Sequence, residues 1–194
     1  HEAIAYLEKN IAKLGIRSIV IDSLSSLAEW TFYDCFNAIN EKRVAYPNPK
    51  PALEGPDVQT YGHMYAKIDN LRTRIHRLPA NVLWLAGYNP PTYDRDGNLE
   101  AVGAPMLPGG KMRLTFPLHV QGCLHLRAKV NVDYSTTHYL TCGPDNNGGA
   151  KDNTGSLPLR CPPDMYYVMA KSGVLPPSTA NAVLKAYADK RKKE

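Results

Sequence analysis

A chain of 194 residues can bury one well-formed core and is only marginally long enough for two, so one domain is the starting expectation. Hydrophobic residues at 43% and charged residues at 21% are ordinary for a soluble globular protein, no apolar run approaches the roughly 20 residues that span a bilayer, and His1-Glu2-Ala3 lacks a basic-then-apolar secretory start. A cytoplasmic protein is expected. The net charge of +5 is largely a tail effect: Lys185, Lys190, Arg191, Lys192 and Lys193 stand against Asp189 and Glu194, a net of +3 that leaves +2 for the remainder. Cys35, Cys123, Cys142 and Cys161 are scattered without a Cys-x-x-Cys pair, which points to reduced, mostly buried thiols rather than zinc or a disulfide framework.

In chain order, Ile4, Leu7, Ile11 and Leu14 recur at helical spacing and Gly15 stands where a left-handed cap would end the helix. The helical pattern is under way by Ala3 and the first residue is His, which suggests that chain precedes it. Ile19-Val20-Ile21 is a β-branched run ending at Asp22 and predicts a strand buried on both faces, as in a parallel sheet. Leu24 to about Ala45 reads as a helix, and the prolines from Pro47 to Pro56 as a loop. A second helix carries Met64, Ile68, Leu71 and Ile75 on one face and stops at Pro79; Val82-Leu83-Trp84-Leu85-Ala86 is a second apolar strand. Residues 90–110 are rich in proline and glycine and read as a long polar loop, followed by strand-like segments around His119–Val130 and His138–Cys142. Gly143–Gly155 reads as another loop, and Pro176-Pro177-Ser178 as the start of a last helix running into the basic tail.

An acidic residue at the carboxyl tip of a buried strand, followed by a small hydroxyl residue, is what Ile21-Asp22-Ser23 offers. In an open parallel sheet ligands sit at that end, where a carboxylate can hold magnesium against nucleotide phosphates. An aspartate that caps the next helix would explain the same residues. The histidines show no metal-ligand spacing, and no Ser/His/Asp order or nucleophile elbow is present.

The run from Gly15 through Asp22-Ser23 to Leu27 resembles the Walker B segment of RecA-like P-loop ATPases, which place Asp-Ser at the strand end. Val58–Gly62, the helix to Leu78 and Pro79–Leu85 resemble the next helix and strand of phage-encoded ATP-binding proteins of this class. Ala150–Pro158 is similar to their late loop, where they more often carry Arg in place of Asn153. The resemblance spans about residues 3–160 and implies an α/β, RecA-like core with a mostly parallel sheet flanked by helices over residues 1–170, with a C-terminal helix and basic tail over 171–194. It implies ATP and magnesium as cofactors, with Asp22 and Ser23 at the nucleotide and Asp22 on the metal. Asn89, after Tyr88, stands at the polar sensor position, and it is equally a turn residue before Pro90-Pro91. Lys111 and Arg113, after Pro108-Gly109-Gly110, are candidates for contact with a neighbouring subunit's γ-phosphate, or else solvated cations beside a turn. The implied function is ATP hydrolysis coupled to recombination or replication of single-stranded DNA, with a homo-oligomer possible and the 90–110 loop facing DNA. No Gly-x-x-x-x-Gly-Lys-Ser/Thr occurs in the 194 residues, so the phosphate-binding loop would lie before His1. A non-catalytic nucleic-acid-binding module, or an interaction protein keeping a degenerate form of the fold, are the alternatives.

Overall fold

The computed structural model describes residues 2–45, 47–101, 103–143 and 150–191; part of the Gly143–Gly155 segment and the tail residues Lys192, Lys193 and Glu194 lie outside the described residues. The chain is a mixed α/β protein with six α-helices among the described residues, and it divides into two compact units, residues 1–89 with 105–115, and residues 90–104 with 116–194.

The first unit begins with helix α1 (Glu2–Leu14), which Gly15 ends with a left-handed φ of 62°. Strand β1 (Ser18–Ile21), helix α2 (Leu24–Val44), helix α3 (Val58–His76), strand β2 (Asn81–Trp84) and the short helix α4 (Gly110–Thr115) follow. β1 and β2 pair in parallel, Ser18 opposite Asn81 through Ile21 opposite Trp84. Antiparallel neighbours can be joined by a tight turn, whereas a parallel pair needs a crossover, here the helices α2 and α3. Each of these helices has an identifiable start. Ser23 caps α2, its Oγ accepting from Ser26 N at 3.1 Å, and Asp57 caps α3 by accepting from both the N–H and the hydroxyl of Thr60. Met64, Ile68 and Ile75 on α3 are fully buried, as their three- and four-residue spacing predicts, and α3 packs on α2. Ile11, Ile19 and Leu78 form a second buried cluster, and Arg74 forms a forked pair with Glu8 of α1 at 2.7 and 2.9 Å.

β1 departs from expectation: Ile19 is buried at 8% exposure, but Val20 is 55% exposed. Parallel strands become continuous apolar runs because both faces are normally covered. In this unit the described elements cover one face of β1 and leave Val20 open.

In the second unit the ladders are antiparallel. Thr92–Tyr93 pairs with Leu99–Ala101, so the 90–110 segment is not a plain loop. Its turn is set by Asp94, whose carboxylate accepts from the N–H groups of Asp96 and Asn98, and by Gly97 at φ 83°. Strands β3 (His125–Val130), β4 (Thr136–Thr141) and β5 (Arg160–Cys161) form a three-stranded sheet in the order β5-β4-β3, with Lys151–Asp152 paired to Gly122–Cys123 beside it. Leu140, Cys142, Cys161 and Val168 make its core. The four cysteines are free, three of them buried, with the sulfurs of Cys142 and Cys161 3.1 Å apart; burial pushes the Cys142 thiol up to about 12.

Helices α5 (Met165–Lys171) and α6 (Pro177–Arg191) pack together. Asp164 caps α5 by accepting from the N–H groups of Tyr166 and Tyr167, and it also accepts a short hydrogen bond from the Tyr187 hydroxyl of α6. That bond holds the Asp164 carboxyl below its ordinary range and pushes Tyr187 up to about 12. The carboxylate's contribution to stability is therefore complete above the unfolded carboxyl value and lost as pH falls through the depressed one. The tyrosine's is complete below about 10 and lost as pH rises through about 12. Asp164→Ala should destabilise the protein by about 1 kcal/mol at neutral pH, the usual cost of a lost cap, and by less in acid. Urea unfolding at pH 7 and pH 3 measures this; an equal loss at both would rule out the charged carboxylate as the cause.

No helix among the described residues is long and apolar enough to cross a membrane.

Candidate functional site at the carboxyl ends of β1 and β2

The two parallel strands continue to bond after their last paired residues. Leu85 N donates to Ile21 O at 2.9 Å, and Leu24 N donates back to Leu85 O at 2.6 Å. The chain leaving β2 is thus tied to the first turn of α2. The link extends further, since Gly87 N donates to Ser25 Oγ at 2.9 Å. A Cβ at Gly87 would meet Met106 Cβ at 3.2 Å and Ser25 Oγ at 3.6 Å, so glycine permits this close approach. Gly87 O in turn accepts from Met106 N at 2.8 Å, bringing the 105–115 segment back to the first unit. There Gly109 adopts φ 75°, and a Cβ on it would overlap the Tyr65 hydroxyl and press on Tyr61 at 3.1 Å. Tyr61 itself packs on Phe32 with ring centroids 5.0 Å apart, so α2, α3 and the Pro108-Gly109-Gly110 turn share one aromatic cluster.

Asp22 stands at the tip of β1, exposed, after which the Asp22–Ser23 peptide bond is cis. Among the described residues its carboxylate makes no hydrogen bond or ion pair. The capping of α2, which Asp22 could have supplied, falls to Ser23: its extended backbone, φ −121° and ψ 154°, aims Oγ at the Ser26 N–H. Ser23 Oγ is also 3.0 Å from Ser26 Oγ. The result is a free carboxylate beside two hydroxyls in the lining of an open cleft of about 410 Å³, which Ile4 from α1 and Leu71 and Ile75 from α3 also line. The oxygen-only donor set suits a hard cation such as magnesium, which is typically held by one or two carboxylates with waters and phosphates completing its shell. No cluster of three or more His, Cys, Asp or Glu that could hold a metal ion occurs among the described residues.

The other sequence candidates belong to the same unit. Asn89 is half-buried at the end of the short strand Tyr88–Asn89, two residues beyond the Ser25–Gly87 link. Lys111 and Arg113 are exposed on α4, and neither is hydrogen-bonded or ion-paired to Asp22 among the described residues. Asp22 and Ser23 are therefore neighbours at one strand tip, Asn89 follows two residues after the Gly87 that bonds Ser25, and neither cation is bonded to the carboxylate among the described residues. Sequence reasoning did not single out Ser25. Its signal lay in the run Asp22-Ser23-Leu24-Ser25-Ser26, where helical geometry puts Ser25 two residues inside the cap, free to face the neighbouring strand's continuation.

No family model, curated protein or solved structure matches this chain.

Proposed function

We propose that these residues form the Walker B side of a RecA-like P-loop ATPase of the phage-encoded type, a core with a mostly parallel sheet in which ATP hydrolysis is coupled to handling of single-stranded DNA. The observation that carries the reading is the state of Asp22. A helix cap is present one residue later, so the aspartate has no structural duty in the described protein, yet it is held by the strand at the place where ligands bind in parallel α/β units. An unpartnered carboxylate beside serine hydroxyls supports a role toward a cation. Bound magnesium would offset phosphate charge there. Asp22 would hold it directly or through water, with Ser23 beside it. The Ser25–Gly87 bond fixes the β2 continuation, so that Asn89 would present its amide toward the γ-phosphate or the attacking water. The cradle of backbone donors that grips the phosphates belongs to a Gly-x-x-x-x-Gly-Lys-Ser/Thr loop, a motif that these 194 residues do not contain; nucleotide binding would need those donors from elsewhere.

The distribution of cations suggests a shared site. Lys111 and Arg113 are exposed on α4 with no carboxylate partner among the described residues, as suits groups that act on a neighbouring subunit's nucleotide. In protein carrying these residues together with a Walker A segment, ATP turnover should be magnesium-dependent and stimulated by single-stranded DNA. Lys111→Ala or Arg113→Ala should abolish the stimulation, and mixing either with Asp22→Asn subunits should restore part of it, because each supplies what the other lacks. Absence of turnover in the parent would overturn the ATPase reading. Mixed and unmixed variants behaving alike would overturn the shared site alone.

A further inference from the structure

The three-stranded sheet of the second unit has two chemically different faces. Side chains alternate along a strand, and the register places Arg127 opposite Tyr139, Lys129 opposite Thr137, and Arg160 beside Thr141, so these residues share a face. The Arg160 guanidinium lies over the Tyr139 ring, 5.1 Å from its centroid. β3, β4 and β5 contain no Asp or Glu, and Lys129 is exposed with no ion pair among the described residues. Three cations with an interleaved aromatic ring, and no carboxylate in their strands, form a surface complementary to a polyanion.

The turn joining β3 to β4 adds an independent observation. Asn131 and Asp133 bond to Ser135, and Asn131 also to Thr137, which fixes the turn from within. Tyr134 sits in that turn with φ 62° and is 90% exposed, near Val132, which is fully exposed. A left-handed backbone favours glycine or asparagine, and a bulky aromatic residue there is strained. An aromatic ring kept in that conformation, facing solvent, buries nothing in the described protein; a ring that stacks on a ligand has a reason to be there.

We propose that the β3–β4 hairpin and the adjoining Arg160 form a contact surface for single-stranded nucleic acid, with Arg127, Lys129 and Arg160 toward phosphates and Tyr134 toward unpaired bases, while the Tyr139 ring lies against Arg160. Arg127 and Lys129 are one strand repeat apart, about 7 Å, comparable to one nucleotide of an extended strand. Exposed aromatic rings select single strands, because every unpaired base offers a face for stacking and a duplex hides it. The surface belongs wholly to the second unit and stands independently of the nucleotide site, though it supplies a contact for the DNA invoked above.

The test uses the 194-residue chain and fluorescein-labelled oligo-dT in fluorescence anisotropy, without ATP, over a range of salt. Lys129→Ala and Arg160→Gln should each weaken binding several-fold, and together flatten the slope of log affinity against log salt by roughly 0.7 for each phosphate that is no longer neutralised. Tyr134→Gly should weaken binding as well while leaving the thermal midpoint unchanged or raised, since glycine relieves the left-handed strain; a purely structural tyrosine would not separate the two readouts. Unchanged affinity and salt slope in the Lys129→Ala/Arg160→Gln double variant would overturn the proposal. Tighter binding to duplex of equal length would overturn the single-strand preference, and equal binding to polyglutamate would overturn nucleic acid as the partner. Hairpin-dependent oligo-dT binding, beside an absence of ATP turnover in protein that carries these residues together with a Walker A segment, would leave this surface standing and remove the ATPase reading; turnover without such binding would do the reverse.

Discussion

Asp22→Asn should lower ATP turnover by roughly 100-fold or more in protein that includes a Walker A segment, the scale on which removal of one charge-stabilising group acts. The substitution keeps the size and shape of the side chain and removes only its negative charge. Because Ser23 caps α2 and Asp22 makes no bond among the described residues, the thermal midpoint should not change measurably. Steady-state turnover at saturating ATP and magnesium, measured beside a melting curve, separates the two effects. Turnover within about twofold of the parent would remove Asp22 from the chemistry. A large loss of stability would instead give the aspartate a structural role that its surroundings do not indicate.

The second large effect lies in the core of the first unit, on α3. Met64 is fully buried on α3, one turn from Ile68 and on the same helix as Leu71 and Ile75, which line the cleft. Met64→Ala leaves a cavity that packed neighbours fill only partly, so destabilisation of about 2–5 kcal/mol is expected. The exposed Lys67→Ala on the same helix serves as control and should stay within about 0.5 kcal/mol. Denaturant unfolding of both, read as the midpoint at constant slope, decides the matter. A loss under about 1 kcal/mol at Met64 would mean that α3 is less tightly packed than its burial indicates. Because Leu71 and Ile75 of α3 line the cleft, the same variant should also blunt any nucleotide-dependent thermal shift.

Helices α1, α2 and α3 and the two parallel strands of the first unit were legible because each depends on local rules. Ile4, Leu7, Ile11 and Leu14 mark one face of α1, Gly15 ends it, and Met64, Ile68 and Ile75 mark α3 with the periodicity that burial then requires. Asp22 at a strand tip was equally visible, since it needs only an apolar run and its end. Three things depended on contacts or conformations that neighbouring identities leave open. Whether Asp22 or Ser23 caps α2 turns on one backbone conformation. The Ser25–Gly87 bond joins residues 62 positions apart, and the Gly109 turn meets Tyr61 and Tyr65 only because the chain returns to the first unit after leaving it. The paired faces of the β3–β4–β5 sheet were hidden for a similar reason: Arg127, Tyr139 and Arg160 share a face through register, and a shift of one residue would send each strand's side chains to the opposite side. The amino-acid sequence by itself therefore determined where α1, α2, α3 and the two parallel strands lie and which carboxylate ends a strand. The tertiary structure alone decided which of these groups have partners, and which are left free to meet a ligand.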